Sequence, residues 1–122
     1  MPAVRARVGK RIVRDVFLAF VRVHVLHHAA RQRIFGAEMM EELKRHGYDI
    51  GPGTLYPLLH ALEQGGALVC APEVVAGKVR KYYRTTRAGD QLLGELRSKI
   101  GELVDEVLEP RKPRTPVKPA AR

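Results

Sequence analysis

The stretch Gly51-Pro52-Gly53-Thr54-Leu55-Tyr56-Pro57-Leu58-Leu59-His60-Ala61-Leu62-Glu63-Gln64-Gly65-Gly66 decides how the rest of the chain is read. Gly51-Pro52-Gly53 reads as a turn, because glycine tolerates positive φ while proline fixes its own φ and removes a donor. Thr54 then offers a hydroxyl to an unpaired amide in the first turn of a following helix. Pro57 falls within that first turn, where a missing N–H breaks no intrahelical bond. Leu55, Leu58, Leu59 and Leu62 recur at i, i+3, i+4 and i+7, which predicts one buried face. Tyr56, His60 and Glu63 point elsewhere, and Gly65-Gly66 ends the helix. A short helix stapled by leucines, with Thr54, Tyr56 and His60 outward, suits the reading of a partner's surface. A plain core helix would carry the same spacing.

Upstream, Gly36 to His46 reads as a second helix, with Ala37, Met40 and Leu43 inward and Glu38, Glu41 and Glu42 outward. Acids in the first turn suit the helix dipole, and Gly47 stops the helix. Two helices joined by a short glycine-bearing connection form a helix-turn-helix pattern. Further back, residues 12–30 are densely apolar, including Val16, Phe17, Phe20, Val21, Val23, Leu26 and Ala30. Asp15, Arg22, His24, His27 and His28 interrupt a stretch too short to cross lipid, so no membrane partner is expected. A long helix buried on more than one side fits, and it needs more partner surface than a chain of 122 residues provides. That points to a dimer. Residues 1–10 lack periodicity and read as a disordered basic arm, with no secretory signal pattern.

Downstream, Leu68 to Val75 reads as a strand that Pro72 confines to an edge or a bulge. Ala76-Gly77-Lys78 is a turn, and Val79 to Thr85 is the returning strand. Thr86 caps the last helix, with Asp90 near its positive end. Leu93, Leu96, Ile100, Leu103 and Val107 follow at spacings 3, 4, 3, 4, a two-heptad seam. We read it as a dimerisation helix packing with Phe17 and Phe20 of the first helix of a second subunit; the alternative is a helix folded back on its own core. Residues 110–122 are proline-rich and basic, and read as a disordered tail. The folded domain is thus expected over residues 11–109, mainly α with a small β-hairpin: a winged helix-turn-helix flanked by dimerisation helices.

Charge supports this order. The net charge is +9, which favours a polyanionic partner. Arg5, Arg7, Lys10, Arg11 and Arg14 form one acid-free cluster, and Lys78, Arg80, Lys81, Arg84 and Arg87 a second. Arg111, Lys112, Arg114, Lys118 and Arg122 form a third. These hold 15 of the 22 basic residues, leaving 7 to face all 13 acids. The scaffold is acidic and its extremities are basic. The single Cys70 excludes an internal disulfide framework and fits a reducing compartment.

The run Pro52-Gly53-Thr54-Leu55-Tyr56-Pro57-Leu58-Leu59 with Leu62-Glu63, followed by Lys81-Tyr82-Tyr83-Arg84-Thr85-Thr86-Arg87-Ala88-Gly89, resembles the PadR family of bacterial transcriptional regulators. The resemblance spans roughly residues 14–108. It implies a winged helix, a homodimer built from the first and last helices, and repression through a palindromic double-stranded DNA operator in the cytoplasm, at the nucleoid. Thr54 and Tyr56 would touch DNA from the second helix of the motif, joined by His60, with Lys78, Arg80, Lys81, Tyr83 and Arg84 along the wing. Members answer to phenolic acids, drugs and other signals, so a small-molecule effector is an expected partner. Two departures stand out: Gly51 where members often carry serine, and Ala37 where they often carry an aromatic residue.

No catalytic constellation is present. Gly51-Pro52-Gly53 lacks the lysine and spacing of a phosphate-binding loop, and Ser98, the only serine, has no His–Asp pairing beside it in sequence. No cofactor and no enzyme activity are expected. His24, His27 and His28 share a helical face at a spacing that can hold zinc, nickel or copper if further ligands complete the shell. The closest acid along the chain is Asp15, more than two turns back, so we expect metal-free histidines, with a metal-responsive regulator as the alternative. A winged-helix module binding a protein rather than DNA is the other alternative.

Overall fold

The computed structural model describes residues 2–108, with side chains from Ala6 onward. Helix α1 (Pro2–Arg31) leads into a two-residue strand β1 (Ile34–Phe35), α2 (Gly36–Arg45) and α3 (Pro52–Gln64). Strands β2 (Leu68–Val75) and β3 (Lys78–Thr85) follow, and α4 (Arg87–Val107) closes the described chain. The expected disordered arm is corrected: residues 2–10 form the first turns of α1, where alanines and valine among the basic residues permit a helix that periodicity alone did not reveal. The tail at 110–122 lies outside the described residues.

Both members of the helix pair end the same way. His46 caps α2, Gly47 follows at φ 91°, and the amides of Gly47 and Tyr48 bond to Lys44 O and Leu43 O at 3.0 and 2.9 Å. Gly65 caps α3, Gly66 follows at φ 85°, and Gly66 and Ala67 donate to Glu63 O and Leu62 O. These are two Schellman motifs, which satisfy the last carbonyls while turning the chain sharply.

The start of α3 differs from expectation. Gly51, not Thr54, is the N-cap, and Pro52 takes the first helical position. Thr54 therefore lies inside the first turn, its amide bonded to Gly51 O at 3.1 Å. Pro57 is then a true interior proline, and the bond it would have donated to the Gly53 carbonyl is missing. The inward set of α2 holds at Leu43 and in part at Met40, but not at Ala37. Gly36, Met39 and Leu43 are buried while Ala37 is exposed.

The sheet has three strands, in the order β1-β3-β2, all antiparallel. The hairpin register runs from Leu68↔Thr85 to Val75↔Lys78. Ala76 and Gly77 close it with φ 53° and 78°, the pair of positive angles that a two-residue turn between twisted strands requires. Pro72 sits on the edge strand, as its missing donor demands. The unforeseen β1 pairs Ile34 with Tyr83 and Phe35 with Tyr82, fastening the end of α1 to the base of the wing.

Val21, Val25, Leu26 and Ala29 of α1 meet Leu43, Leu55, Leu59 and Leu68 in one core. Leu55 and Leu59 are wholly buried, each contributing about 1.5–3 kcal/mol by area. The amino-terminal half of α1 is different: Val8, Ile12, Val13, Val16 and Phe20 are exposed. At the other end, Leu93 is buried in the chain's own core, so its placement in an intersubunit seam is corrected. Phe17 and Leu96 pack partly against the same core, Ile100 is half-buried, and Leu103 and Val107 are exposed. The heptad spacing thus serves the chain's own core first and leaves its last turns uncovered.

Candidate nucleic-acid interface

The face of α3 opposite its leucines is set against the wing. Tyr56 and His60 line one wall of a cleft of about 820 Å³, and Lys78, Val79 and Lys81 line the other. Its floor includes Gly36, the first residue of α2. A Cβ on Gly36 would stand within 2.7 Å of Tyr56 Cε1, so glycine lets the tyrosine ring lie directly on the α2 backbone. The ring is held in place, with Tyr56 still 39% exposed. Thr54 is half-buried, and His60, Lys78, Lys81 and Arg84 are exposed.

Strand alternation divides the basic wing residues between two faces. Lys81 and Val79 share the face of Tyr83, which turns toward the helices. Lys78, Arg80 and Arg84 share the face of Tyr82, with Lys78 at the turn and Arg80 still reaching the rim of the cleft. On that face Arg80 lies over the Phe35 ring at 4.0 Å and Arg33 over Tyr82 at 3.9 Å, with Phe35 and Tyr82 edge to face. Arg33 also pairs with Glu73 on β2. This ladder stiffens the wing and occupies Arg80 as much in packing as in charge.

Tyr83, expected at the DNA surface, is corrected. It is 1% exposed, and burial first, then the Cys70 thiol beside it, push its hydroxyl up to about 12. Its register partner Ile34, on the strand the sequence concealed, lies beside it on the same buried face of the sheet, against which α1 packs. Tyr83 is a core residue.

The hinge between wing and α4 explains the second motif. Thr86 Oγ1 accepts from Gly89 N at 3.0 Å and donates to Gly66 O, while Thr86 N donates to Ala67 O. A side chain at Gly89 would collide with the Ala67 carbonyl. Thr85 Oγ1 donates to Asp90 at 2.6 Å. The α3 terminus, the start of β2 and the start of α4 are therefore joined at one point.

The histidines divide between two neighbouring helices, although His27 and His28 stay in edge-to-face contact with ring centroids 5.1 Å apart. His27 turns toward α4, where its Nδ1 is 3.4 Å from Arg97 Nη2. His24 and His28 face α2 and are joined there by His46, the ring centroids of His24 and His46 being 4.8 Å apart. The expectation that no carboxylate lies near is corrected: Glu42 Oε2 is 3.1 Å from His46 Nε2 and 3.7 Å from His28 Nε2. Arg45, its strongest partner, and His46 hold the Glu42 carboxyl below the usual range. Burial first, then His46, His28 and His27, lower the His24 imidazole. Among the described residues no helix is long and apolar enough to cross a membrane.

A helix pair presenting the polar face of its second helix beside a basic hairpin defines a winged helix-turn-helix. The model of the transcriptional regulator PadR-like family matches residues 25–95. The chain is 50% identical over 96 residues to the transcriptional regulator Rv3488 of Mycobacterium tuberculosis, covering 79% of this chain and 90% of that protein. A PadR family transcriptional regulator from Eggerthella lenta superposes with a TM-score of 0.72 at 29% identity, over 89% of this chain and 99% of the other. A PadR-like transcription factor from bacteroid fragilis gives 0.70 at 25% identity, over 80% and 96%. The chain belongs to the PadR-like family of transcriptional regulators, proteins that work by binding DNA.

Proposed function

We propose that this regulator is a homodimer that represses transcription by occupying a palindromic operator and lets go when an effector binds. The observation that carries the DNA-binding reading is the cleft between α3 and the wing, walled by Tyr56, His60, Lys78 and Lys81. The α3 residues take the major groove, where an α-helix fits and base edges are distinguishable. Lys78 and Lys81 take the phosphates beside it, and Arg80 and Arg84 border the backbone from the outer face of the wing. Support for the dimer comes from Ile12, Val16 and Phe20 on α1 and Leu103 and Val107 on α4, apolar side chains left exposed on two helices of one chain. Burying such surface is the ordinary driving force for association. The effector reading is supported by a crevice of about 270 Å³ between α1 and α4, bordered by Phe20, Tyr48, Arg97 and Ile100.

The test is fluorescence anisotropy with promoter fragments flanking the regulator's own gene, across a salt series. Affinity falls steeply with salt, by about 0.9 logarithmic units per phosphate contact and decade of salt. A fragment bound with no salt dependence, or no preference over scrambled DNA, refutes the operator reading. A promoter–reporter fusion whose output rises when the regulator is deleted establishes repression; a fall makes it an activator.

A further inference from the structure

We propose that His24 and His28 of α1 and His46 at the end of α2 form a binding site for a divalent transition-metal ion of zinc or nickel type, with Glu42 as their carboxylate partner. The site is separate from the α3–wing cleft and rests on geometry alone, independent of the DNA-binding reading.

Two pairs of residues create it. His24 and His28 are one helical turn apart on α1, and Glu42 and His46 are one turn apart along α2 and its C-cap, so each pair projects from one helical face. The Schellman turn at Gly47 ends α2 with His46 facing α1. The three imidazoles each offer a nitrogen, and these atoms lie within 4.8 Å of one another. Zinc–imidazole bonds of about 2.0–2.1 Å require nitrogens roughly 3.4 Å apart in a tetrahedron. Modest side-chain rotation covers that difference at His46 and His28, which are 47% and 26% exposed.

Glu42 lies against two of the three imidazoles, 3.1 Å from His46 Nε2 and 3.7 Å from His28 Nε2, where a carboxylate can orient metal-bound histidines or join the ligand set itself. Its contacts to His46 and His28 come from one oxygen, Oε2, while Oε1 is taken by Arg45. Three imidazoles leave a fourth position for water or an exchangeable ligand. Nitrogen-rich donors of this kind suit zinc, nickel and copper and exclude calcium and magnesium, which take oxygen.

The bound ion would tie α1 to α2. Because the Gly36 end of α2 carries the Tyr56 ring, occupancy would also reach the α3 cleft; this consequence alone rests on the proposed operator reading.

The experiment is calorimetric titration of the full, chelator-treated protein with zinc chloride, in the absence of DNA. One zinc per chain is expected. Glu42→Gln weakens binding about 10–100-fold, and His24→Ala and His46→Ala each weaken it further. His27→Ala and His60→Ala leave it unchanged, although His27 neighbours His28 in sequence. Far-UV circular dichroism of the metal-free variants confirms their fold, and His46→Asn substitutes at the exposed position if His24→Ala unfolds. No saturable zinc binding in the parent chain, or equal affinity in His46→Ala, overturns the site; a loss with His27→Ala matching that with His46→Ala overturns the ligand assignment. Anisotropy with and without zinc, in the parent and His46→Ala, is a separate measurement: an unchanged operator affinity removes the coupling and leaves the site standing.

Discussion

At Gly36 the side chain is absent because Tyr56 occupies the space, and the two residues can be tested as a pair. Gly36→Ala must push the tyrosine aside or shift α2, an overpacking that costs about 1–3 kcal/mol. Urea unfolding should show that loss in the parent background and almost none in Tyr56→Ala, since the obstacle is then gone. Additive losses would mean that the two residues do not share the contact. His24 and His27 lend themselves to a pH experiment. Both are held below the ordinary value of 6.5 by burial first; His46, His28, His27 and Glu42 face His24, and His28, Arg31 and Arg97 face His27. Below 6.5 the unfolded chain takes up protons that the folded one resists. Their stabilising effect is therefore complete above pH about 6.5 and is lost as pH falls through the lowered folded values. In thermal melts without metal, the midpoint should drop as the pH falls below about 6.5, and His24→Asn with His27→Asn should flatten the drop. A midpoint that rises on acidification contradicts the assignment. Glu42 is lowered from 4.5 by Arg45, so its own loss falls in a separate, more acid window.

The wing supplies the corresponding test for an element. Lys81 faces α3 and Arg84 faces away, so Lys81→Ala should reduce the salt slope of DNA binding by about 0.9, with a smaller change for Arg84→Ala. Equal changes would place both faces of the strand on the backbone. The hairpin was legible in the sequence because turn chemistry is local: Ala76-Gly77 and Pro72 announce the turn and the edge. So were the α3 leucines and the Thr86 cap. Which of two adjacent tyrosines points inward was not legible. Alternation fixes that Tyr82 and Tyr83 oppose each other, but the choice is made by Ile34, on a strand of two residues too short to show any period. The helix start at Gly51 was missed for a related reason, since Gly-Pro-Gly reads equally as a free turn or as a cap followed by a first helical proline. The Glu42–His46 pair was invisible because its meeting with α1 is tertiary, separated by more than a dozen residues of chain.

For the whole molecule, the apolar residues left uncovered at the two ends predict how it assembles. Leu103→Glu puts a charge on an exposed part of α4, and in the proposed dimer that charge becomes buried and unpaired. Light scattering at micromolar concentration should show the parent as a dimer and Leu103→Glu as a folded monomer. Leu93→Ala should instead cost about 2–5 kcal/mol of stability in the chain's own core. A Leu103→Glu variant that remains a dimer would move the interface elsewhere. The sequence spacing of these residues did not separate the two roles, because an own-core face and an intersubunit face have the same period. The junction at Ala67 has a mechanical consequence. With its first turn clamped there and Leu93 and Leu96 packed on the core, α4 is a rigid arm of 21 residues, about 31 Å long, that moves with α3. A rocking of this whole unit by about 10° sweeps the exposed end of α4 through roughly 5 Å. If those exposed ends are joined in the dimer, the same rocking resets the gap between the two reading helices, which must match half-sites about 34–36 Å apart. Substitutions far from the DNA, along that arm, would then retune which operator spacing is accepted while every DNA-facing side chain stays the same.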